Sequence, residues 1–484
     1  MSRSRTRGWI AAALVCAGLV ACLPDNPIVD TTTSASSTTN GSDSDTGSAA
    51  GLFACERAEC TFVLVSQTLD DRVDIWEVGD APALRGRVDL DLKPDPSGLQ
   101  TAGNLLDEPY GLSLTEGELR VLVGHYPDTA KGSLVVLPEA LFGDLEPGGV
   151  APVSDLFDGA KFVGGAADLE LDRREAIFAV PHASGRMIVG VFANDLRSLE
   201  WPNASQLLIV DPSLEGAAAI GAFDLGGLDV PCRGAWGMTA VDDASAPQRV
   251  ALACDGSDSV AVVDLPADLG AGTPAEAAAA ASGCGVKLLD TGWTTRFVAP
   301  DGNGGVLAVQ SQLISGPRLW RVSGGCSAVP ATKALADDFA GRRALNEVAL
   351  LDAAGPTWLV AGSVPETGVY VIQGADPTVC GAVSGLDGAF TPAGGEANAP
   401  YALALADDGL HLAIGSGPPS NPESSAGRGQ VHWVSLDTSG LASCAVAAAE
   451  VTELTAGHFA ASDPKTWVRA PNVIEVVTRA GGDA

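Results

Sequence analysis

Basic and aromatic residues are scarce in this sequence. Of its 484 residues, 28 are Lys or Arg against 60 Asp or Glu, which gives a formal net charge of −32, and aromatics make up only 5%. So acidic a chain lacks the basic surface that neutralises phosphates, and we expect no nucleic-acid partner. The apolar fraction of 46% is large enough for a sizeable packed core, which excludes a wholly disordered chain.

Known signatures of catalytic and cofactor sites are missing as well. The sequence has no Cys-x-x-Cys pair, no Gly-x-Ser-x-Gly elbow, no His-Glu-x-x-His pair and no phosphate-binding glycine loop. It therefore indicates no cofactor and names no catalytic residue. Carboxylate pairs such as Asp242-Asp243 and Asp407-Asp408 lie in predicted turns, where solvated side chains and a weak Ca²⁺ site are the two alternatives.

The N-terminus has the features of an export signal. Arg3, Arg5 and Arg7 precede an apolar run over residues 9–20, which is too short to span a bilayer. No later run of about twenty apolar residues occurs. We therefore expect residues 1–21 to be a signal peptide.

Directly behind the apolar run, Leu19-Val20-Ala21-Cys22 resembles the bacterial lipoprotein signal box. In that family the Cys thiol is lipidated and the residue becomes the new N-terminus, so the resemblance implies a lipid anchor at Cys22 and a membrane as partner. Leu23 resembles the residue found there in lipoproteins that are passed to the outer membrane. The alternative is an ordinary cleaved signal that happens to end in Cys.

Two regions of different composition follow the signal. Residues 22–50 are rich in Ser and Thr and cannot bury enough apolar area to fold, so we expect a flexible tether. Residues 51–484 alternate short apolar runs with turns and are expected to form the folded domain.

Three kinds of apolar run recur in a fixed order within this domain. The first contains small residues, as an innermost strand requires, and is clearest at residues 109–114 and 400–405. The other two are richer in β-branched residues, as at residues 249–253 and 260–264. The unit returns every ~50–70 residues, a period typical of a propeller of four-stranded blades around a channel. We place inner strands near Tyr110, Ala167, Trp236, Phe297, Val348 and Tyr401.

The first repeat lacks an inner strand, whereas residues 473–477 form a surplus strand at the other end of the chain. Closing the ring by joining the two removes two exposed edges at once. We therefore predict an all-β fold with a single β-propeller, seven blades of four antiparallel strands, and a C-terminal strand that completes the first blade.

The repeats resemble a known family. Residues 253–264 are similar to the repeat of the YVTN type, in which a strand ends in a turn and resumes as Val-x-Val-Ile-Asp, although Asp255 stands where Asn is usual. Residues 408–413 resemble its Asp-Gly-x-x-Leu-x-Val segment. Lactonase-like propellers share this pattern, which extends here from about residue 109 to 436. The resemblance implies the fold, but one propeller architecture hosts many functions.

Eight Cys remain in the folded domain, an even number, and an oxidising compartment favours their pairing. Cys55 and Cys60 are close in sequence. Cys232 precedes an inner strand and Cys254 follows the second strand of the same blade, so we expect these two to pair. The other four stand before predicted outermost strands and could join neighbouring blades, with the pairing left open: Cys284, Cys326, Cys380 and Cys444.

In a propeller, the loops that enter inner strands and the loops between second and third strands lie on one face. His125, His182 and Asp255 follow predicted second strands, whereas His432 lies within a strand and is expected to face outward. Residues on the shared face could stack on and clamp a small polar ligand. The alternatives are that the aromatics close the channel by packing, that Arg296 pairs with a neighbouring carboxylate and that the histidines cap loops. The candidates at the channel mouth are Tyr110, His125, His182, Trp236, Arg296, Asn346, Glu347 and Tyr401.

These observations predict a binding or scaffold protein without chemistry of its own. It would be lipid-anchored in the cell envelope, at the outer membrane, with envelope proteins or a small polar ligand as partners. The alternative is a lactonase-like or metal-assisted hydrolase that uses His125, His182, Glu347 and Arg296. A divalent ion or polar pocket on the channel axis would favour the hydrolase, and a plugged channel with an exposed patch would favour the scaffold.

Overall fold

The computed structural model describes most of the chain between residues 52 and 481, and this part consists almost wholly of β-strands. Its α-helix is α1 (Pro274–Ala280). Short 3-10 turns occur at Glu139–Phe142, Gly216–Ala219, Leu225–Gly227, Asp255–Ser257 and Leu441–Ser443. The described residues are 52–55, 57–67, 72–79, 81–90, 106–115, 117–126, 131–143, 149–152, 161–163, 174–193, 205–214, 216–242, 245–288, 295–310, 318–323, 327–330, 345–363, 367–391, 398–417, 429–455 and 471–481.

Seven four-stranded antiparallel sheets form the blades of a β-propeller, which confirms the predicted fold. From the inner to the outer strand, blade 1 is β29 (Pro471–Ala480), β1 (Glu59–Gln67), β2 (Arg72–Val78) and β3 (Ala83–Asp89); blade 2 is β4 (Leu106–Thr115), β5 (Glu118–Tyr126), β6 (Lys131–Pro138) and β8 (Lys161–Val163); blade 3 is β9 (Arg174–Pro181), β10 (Met187–Ala193), β11 (Gln206–Val210) and β12 (Ile220–Asp224). Blade 4 is β13 (Ala235–Ala240), β14 (Arg249–Cys254), β15 (Ser259–Asp264) and β16 (Ser282–Lys287); blade 5 is β17 (Thr295–Pro300), β18 (Val306–Gln310), β19 (Arg318–Ser323) and β20 (Ser327–Pro330). Blade 6 is β21 (Leu345–Asp352), β22 (Thr357–Ser363), β23 (Thr367–Gln373) and β24 (Thr378–Ala382); blade 7 is β25 (Ala399–Leu405), β26 (His411–Gly417), β27 (Gln430–Asp437) and β28 (Ala447–Glu453).

The hydrophobic core lies between neighbouring blades. In β15 every residue except Asp264 is buried. One face of this strand meets blade 5, where Val260 and Val262 belong to the same apolar cluster as Val306 and Trp320. Because the middle strands are covered on both faces, they consist of short continuous apolar runs rather than strictly alternating ones.

The inner strands contact one another in ring order, β29, β4, β9, β13, β17, β21, β25 and again β29. The ring is closed by β29, which pairs antiparallel with β1 over residues 59–67 and supplies the inner strand that the first repeat lacks. The predicted closure is thus confirmed. A fifth strand, β7 (Gly149–Pro152), adds to the outer edge of blade 1 by pairing in parallel with β3.

Arg479 joins the closing strand to blade 2. Its guanidinium forms an ion pair with Glu139 and donates to the Thr115 carbonyl oxygen at 3.1 Å. It also lies over the Phe53 ring, with Cζ 5.8 Å from the ring centroid. The segment before β1, the closing strand and blade 2 therefore meet at one side chain.

Disulfide bonds are present as predicted. Cys55 pairs with Cys60, and Cys232 pairs with Cys254. Cys380 pairs with Cys444 and joins blades 6 and 7. Cys284 is also disulfide-bonded, and Cys326 lies outside the described residues. The expected positions need one correction, because Cys284 and Cys380 lie within the outermost strands β16 and β24 rather than before them.

Several sequence predictions lie outside the described residues: the signal peptide, the lipidated Cys22, the tether and the inner strand near Ala167. The inner strand of blade 3 is β9, which begins at Arg174. Among the described residues, no helix combines the length and the apolar character needed to cross a membrane.

The Arg479→Gln variant is expected to unfold at lower denaturant concentration than the wild type. It loses a partly buried ion pair, a hydrogen bond and a cation–π contact together, which are worth about 1–2 kcal/mol of unfolding free energy. The matched control is Arg249→Gln, which breaks a more exposed ion pair with Asp264 and should cost clearly less. Equal losses in the two variants would contradict the role of Arg479 in ring closure.

Candidate functional site

Every inner strand carries a one-residue bulge near its start. In blade 4, Ala235 pairs with Cys254 and Gly237 with Ala253, so Trp236 has no opposite residue in the ladder. A bulge bends the strand and re-aims the extra side chain. Because the inner strands surround the channel, their bulges form a ring at one end of it, the bulge ring. Its members are Tyr110 or Gly111, Ile177, Trp236, Arg296, Asn346 or Glu347, Tyr401 and Asn472.

Most of the predicted site residues stand on the bulge ring. Sequence reasoning missed Ile177 and Asn472. The start of β29 nevertheless carried a signal, because Pro471 precedes Asn472 just as Pro109 and Pro400 precede their bulge residues. The predicted residues that the structure places on the ring are Tyr110, Trp236, Arg296, Asn346, Glu347 and Tyr401.

We call the end of the channel that carries the bulge ring the mouth. The turn after β14 reaches the same end, since the Asp255 N–H donates to the Gly234 carbonyl oxygen at 2.8 Å. The Cys232–Cys254 disulfide joins the same two segments. Asp255 is therefore held at the mouth, as expected for a residue that follows a second strand.

Arg296 of the bulge ring contacts both an aromatic ring and a carboxyl group. Its guanidinium lies over the Trp236 ring, with Cζ 5.2 Å from the ring centroid. Its Nε is 3.7 Å from Asp255 Oδ2, an ion pair too long for a hydrogen bond. The alternative that Arg296 pairs with a neighbouring carboxylate is thereby confirmed. The Arg296 side chain is still 29% exposed, whereas that of Asp255 is 10% exposed.

Both members of this pair keep a buried polar atom without a hydrogen bond. Within the described part of the chain, neither Asp255 Oδ1 nor Arg296 Nε has a hydrogen-bond partner. A buried polar atom in this state costs roughly 1–3 kcal/mol. Burial raises the pKa of Asp255 to about 6, an effect that Arg296 opposes and the Asp258 carboxylate reinforces. The pair is an incompletely satisfied charged site.

An apolar wall adjoins the pair. Tyr110 is buried and packs with Phe178 and Trp236, in line with the expected packing alternative. The Phe178 and Phe297 rings meet edge to face, with centroids 6.3 Å apart. Phe178, Trp236 and Phe297 remain partly exposed and come from the inner strands of blades 3, 4 and 5. Trp236 contacts Arg296, and we call these three rings together the aromatic wall.

Two carboxyl groups join neighbouring inner strands elsewhere in the ring. Glu347 Oε2 accepts a hydrogen bond from the Leu403 N–H of the next blade at 2.9 Å, and Glu475 accepts one from the Leu114 N–H. Burial raises the pKa of each carboxyl group to about 8, and the N–H bond offsets only part of that rise. Both are therefore mainly protonated at pH 7 and connect strands between which no β-ladder forms. Glu347 was predicted as a binding residue of the mouth and not as a link between blades, and Glu475 was not predicted at all.

The remaining predicted ring residues are engaged between blades. Asn346 Nδ2 donates to the Pro400 carbonyl oxygen at 3.0 Å, from blade 6 to blade 7. Tyr401 packs against the apolar cluster between blades 7 and 1. Both residues support the ring while standing at the mouth.

The predicted histidines are not brought together at the mouth. His182 lies in the turn between β9 and β10, where its Nδ1 is 2.8 Å from Ser184 Oγ. This turn follows the first strand of blade 3, not the second, so His182 lies at the opposite end of the channel and its predicted position is wrong. There the Ala183 N–H donates to the carbonyl oxygen of Ser245, in the equivalent turn of blade 4. His125 lies near the end of β5, and its side chain is outside the described part.

The expected outward orientation of His432 is also wrong. Its side chain is 2% exposed, and burial lowers its pKa to about 4. Across the described ranges, no three His, Cys, Asp or Glu side chains stand close enough to hold a metal ion.

Comparison with known proteins gives distant structural matches. No family model and no curated protein matches the chain. The structure of apo AztD from Citrobacter koseri matches with 12% identity and a TM-score of 0.40, over 88% of this chain and 99% of that one. The Pseudomonas aeruginosa periplasmic gluconolactonase PpgL matches with 15% identity and a TM-score of 0.46, over 81% of this chain and 96% of that one. Matches at this level carry no argument about the site.

The Glu347→Gln variant is expected to change how stability depends on pH. The pKa is about 8 in the native protein against an ordinary 4.5, so the unfolded chain releases this proton first and wild-type stability falls between those two pH values. Gln still accepts from Leu403 but does not titrate, which removes a contribution on the order of 4 kcal/mol. The variant should gain stability over the wild type on going from pH 5 to pH 9.

Denaturant unfolding at the two pH values measures this difference. Glu475→Gln is the parallel variant and should behave alike, because its carboxyl group makes the corresponding contact between blades 1 and 2. Parallel pH profiles for variant and wild type would show that the carboxyl group is ionised in the native protein.

Proposed function

We propose that the protein is a lipid-anchored β-propeller of the cell envelope that binds a small polar ligand at the channel mouth without chemistry of its own. The observation that carries this proposal is the unsatisfied Asp255–Arg296 pair beside the aromatic wall. A ligand that bonds the accessible part of both residues would add hydrogen bonds to a pair that makes too few of them. A few converging polar groups on an apolar lining are typical of small-molecule sites.

The contacts at the mouth support binding more than catalysis. Nucleophilic hydrolysis needs a nucleophile within reach of a base that is itself oriented. Here the polar groups are engaged otherwise: Arg296 stacks on Trp236, Asn346 bonds a carbonyl oxygen and Glu347 bonds a backbone N–H. His182, which a hydrolytic site would use, lies at the other end of the channel.

Export and anchoring rest on two observations. Structural disulfides persist in oxidising compartments, and three are present among the described residues. The signal box before Cys22 and the Ser/Thr-rich stretch behind it fit a lipidated N-terminus with a tether. We place the protein at the outer membrane because Leu23 follows Cys22.

A hydrolase is the second candidate, and one observation favours it. Carboxyl groups with strongly raised pKa values often serve as general acids or bases, and burial raises the pKa of Glu347 to about 8 and that of Asp255 to about 6. In this alternative Glu347 would donate a proton at the channel wall.

Thermal-shift screening of the full-length protein against amino acids, sugars, lactones and divalent ions tests the binding proposal. At least one small molecule is expected to raise Tm, and the shift should disappear in Trp236→Ala and Arg296→Gln. The matched control Arg249→Gln, in an ion pair at the other end of blade 4, should keep it. A panel without any shift that depends on the mouth residues would contradict the proposal. Turnover of a lactone that is lost in Glu347→Gln would favour the hydrolase instead.

The Cys22→Ser variant tests the anchor. Lipidation needs the thiol, so the variant is expected to leave the membrane fraction and to lose incorporation of a labelled fatty acid. Cell fractionation and metabolic labelling measure both effects, and Cys16→Ser is the control because that residue lies within the signal. Retention of label in Cys22→Ser would rule out this anchor.

A further inference from the structure

We infer that the ligand of the channel mouth is a small zwitterion of the α-amino-acid class with an apolar side chain. The Asp255–Arg296 pair would bind its charged groups and the aromatic wall its side chain. This inference rests on the proposed binding function and adds the chemical class of the ligand.

A ligand that bonds both Asp255 and Arg296 must carry a hydrogen-bond donor and an acceptor that lie close together. Arg296 Nε is 3.7 Å from Asp255 Oδ2, so the two residues form an ion pair but no hydrogen bond. Asp255 Oδ1 lacks a donor and Arg296 Nε lacks an acceptor, but both atoms are enclosed, so a ligand would meet the pair at the exposed part of the Arg296 side chain and at the edge of the Asp255 carboxyl group. An α-amino acid carries both complements on one carbon, since its ammonium group can donate to Asp255 while its carboxylate accepts from Arg296.

The charges of the pair select against simpler ligands. A free carboxylate attracted by Arg296 is repelled by Asp255 and by a protein of net charge −32, whereas an amine attracted by Asp255 is repelled by Arg296. A neutral hydroxyl can bond both residues, but its bonds lack the charge on the ligand side that makes the zwitterion's bonds stronger. A zwitterion has no net charge and makes two charge-assisted bonds.

The site is held in place before a ligand arrives. The Cys232–Cys254 disulfide fixes the turn that carries Asp255. The Arg233 N–H donates to Ser257 Oγ at 3.0 Å, which ties the same turn to the segment before β13. Stacking on Trp236 restrains the guanidinium of Arg296. Such preorganisation lowers the entropic cost of binding.

The aromatic wall would bind the apolar side chain of the ligand. Phe178, Trp236 and Phe297 are partly exposed, and the Trp236 ring lies against Arg296 of the charged pair. An aliphatic or aromatic side chain would cover them and remove apolar area from water. Polar or charged side chains would gain nothing there, so the preference should run from phenylalanine and leucine down to glycine and aspartate.

Isothermal titration of the full-length protein with L-phenylalanine tests the inference. Binding is expected, and it should weaken at least about tenfold for 3-phenylpropanoate, which lacks the amine, and for phenethylamine, which lacks the carboxylate. Asp255→Asn and Arg296→Gln should each weaken L-phenylalanine binding by a similar factor. Asp264→Asn and Arg249→Gln, which alter the ion pair at the opposite end of blade 4, should leave affinity unchanged.

The outcomes separate this inference from the proposed function. Equal binding of L-phenylalanine and the two analogues, or of L-phenylalanine and glycine, would overturn the ligand class. Mouth-dependent binding of a sugar or a simple carboxylate, without L-phenylalanine, would also overturn it while leaving a binding site at the mouth. If no probe in the wider panel shows binding that Trp236→Ala weakens, both proposals fail. Unfolding midpoints of ligand-free Asp255→Asn and Arg296→Gln show whether a loss reflects the site or the fold.

Discussion

The ladder between β1 and β29 is the contact on which the rest of the ring depends, because a propeller blade has no stable partner face until its neighbours are in place. Each apolar layer lies between two blades, so an open ring would expose the layer between blades 7 and 1 to water. The chain meets this constraint with more than one device at the closing blade. β29 pairs along β1, Arg479 joins β29 to Phe53 and Glu139, and β7 extends blade 1 from within blade 2.

Ring closure also determines which side chains lie at the mouth of the channel. Inner strands that touch side by side without a ladder leave backbone groups to be satisfied by side chains, and Glu347 and Glu475 do so from one blade to the next. The repeated bulge places one extra residue in each inner strand. Where that residue is Arg296, its guanidinium lies over the ring of the preceding bulge residue, Trp236, and pairs with Asp255. The candidate site therefore arises at bulge positions that repeat in every inner strand. Its function depends on the different residue types that occupy these positions.

The architecture could be predicted from the period of the repeats and from the residues that form the turns. The small-residue inner strands, the Cys232–Cys254 bond and the surplus strand all follow from local order along the chain. The error at His182 has a physical cause: between β6 and β8 the chain leaves blade 2 to place β7 on blade 1, which delays blade 3 and moves its inner strand to Arg174. The roles of Phe178 and Glu475 could not be predicted, because they depend on contacts between blades far apart in sequence.

Ring closure and the repeated bulge hold Asp255 and Arg296 as an ion pair with incomplete hydrogen bonding, and part of the Arg296 side chain stays exposed for a ligand. A high-resolution crystal structure of the protein purified from its host tests this most directly, because it shows what contacts the Asp255 carboxyl group and the Arg296 guanidinium. The expected result is a bound group that contacts both the Arg296 guanidinium and the Asp255 carboxyl group, with the guanidinium over the Trp236 ring as it is here. A guanidinium turned into a direct bidentate bond with Asp255, which would close the mouth at this point, would contradict it.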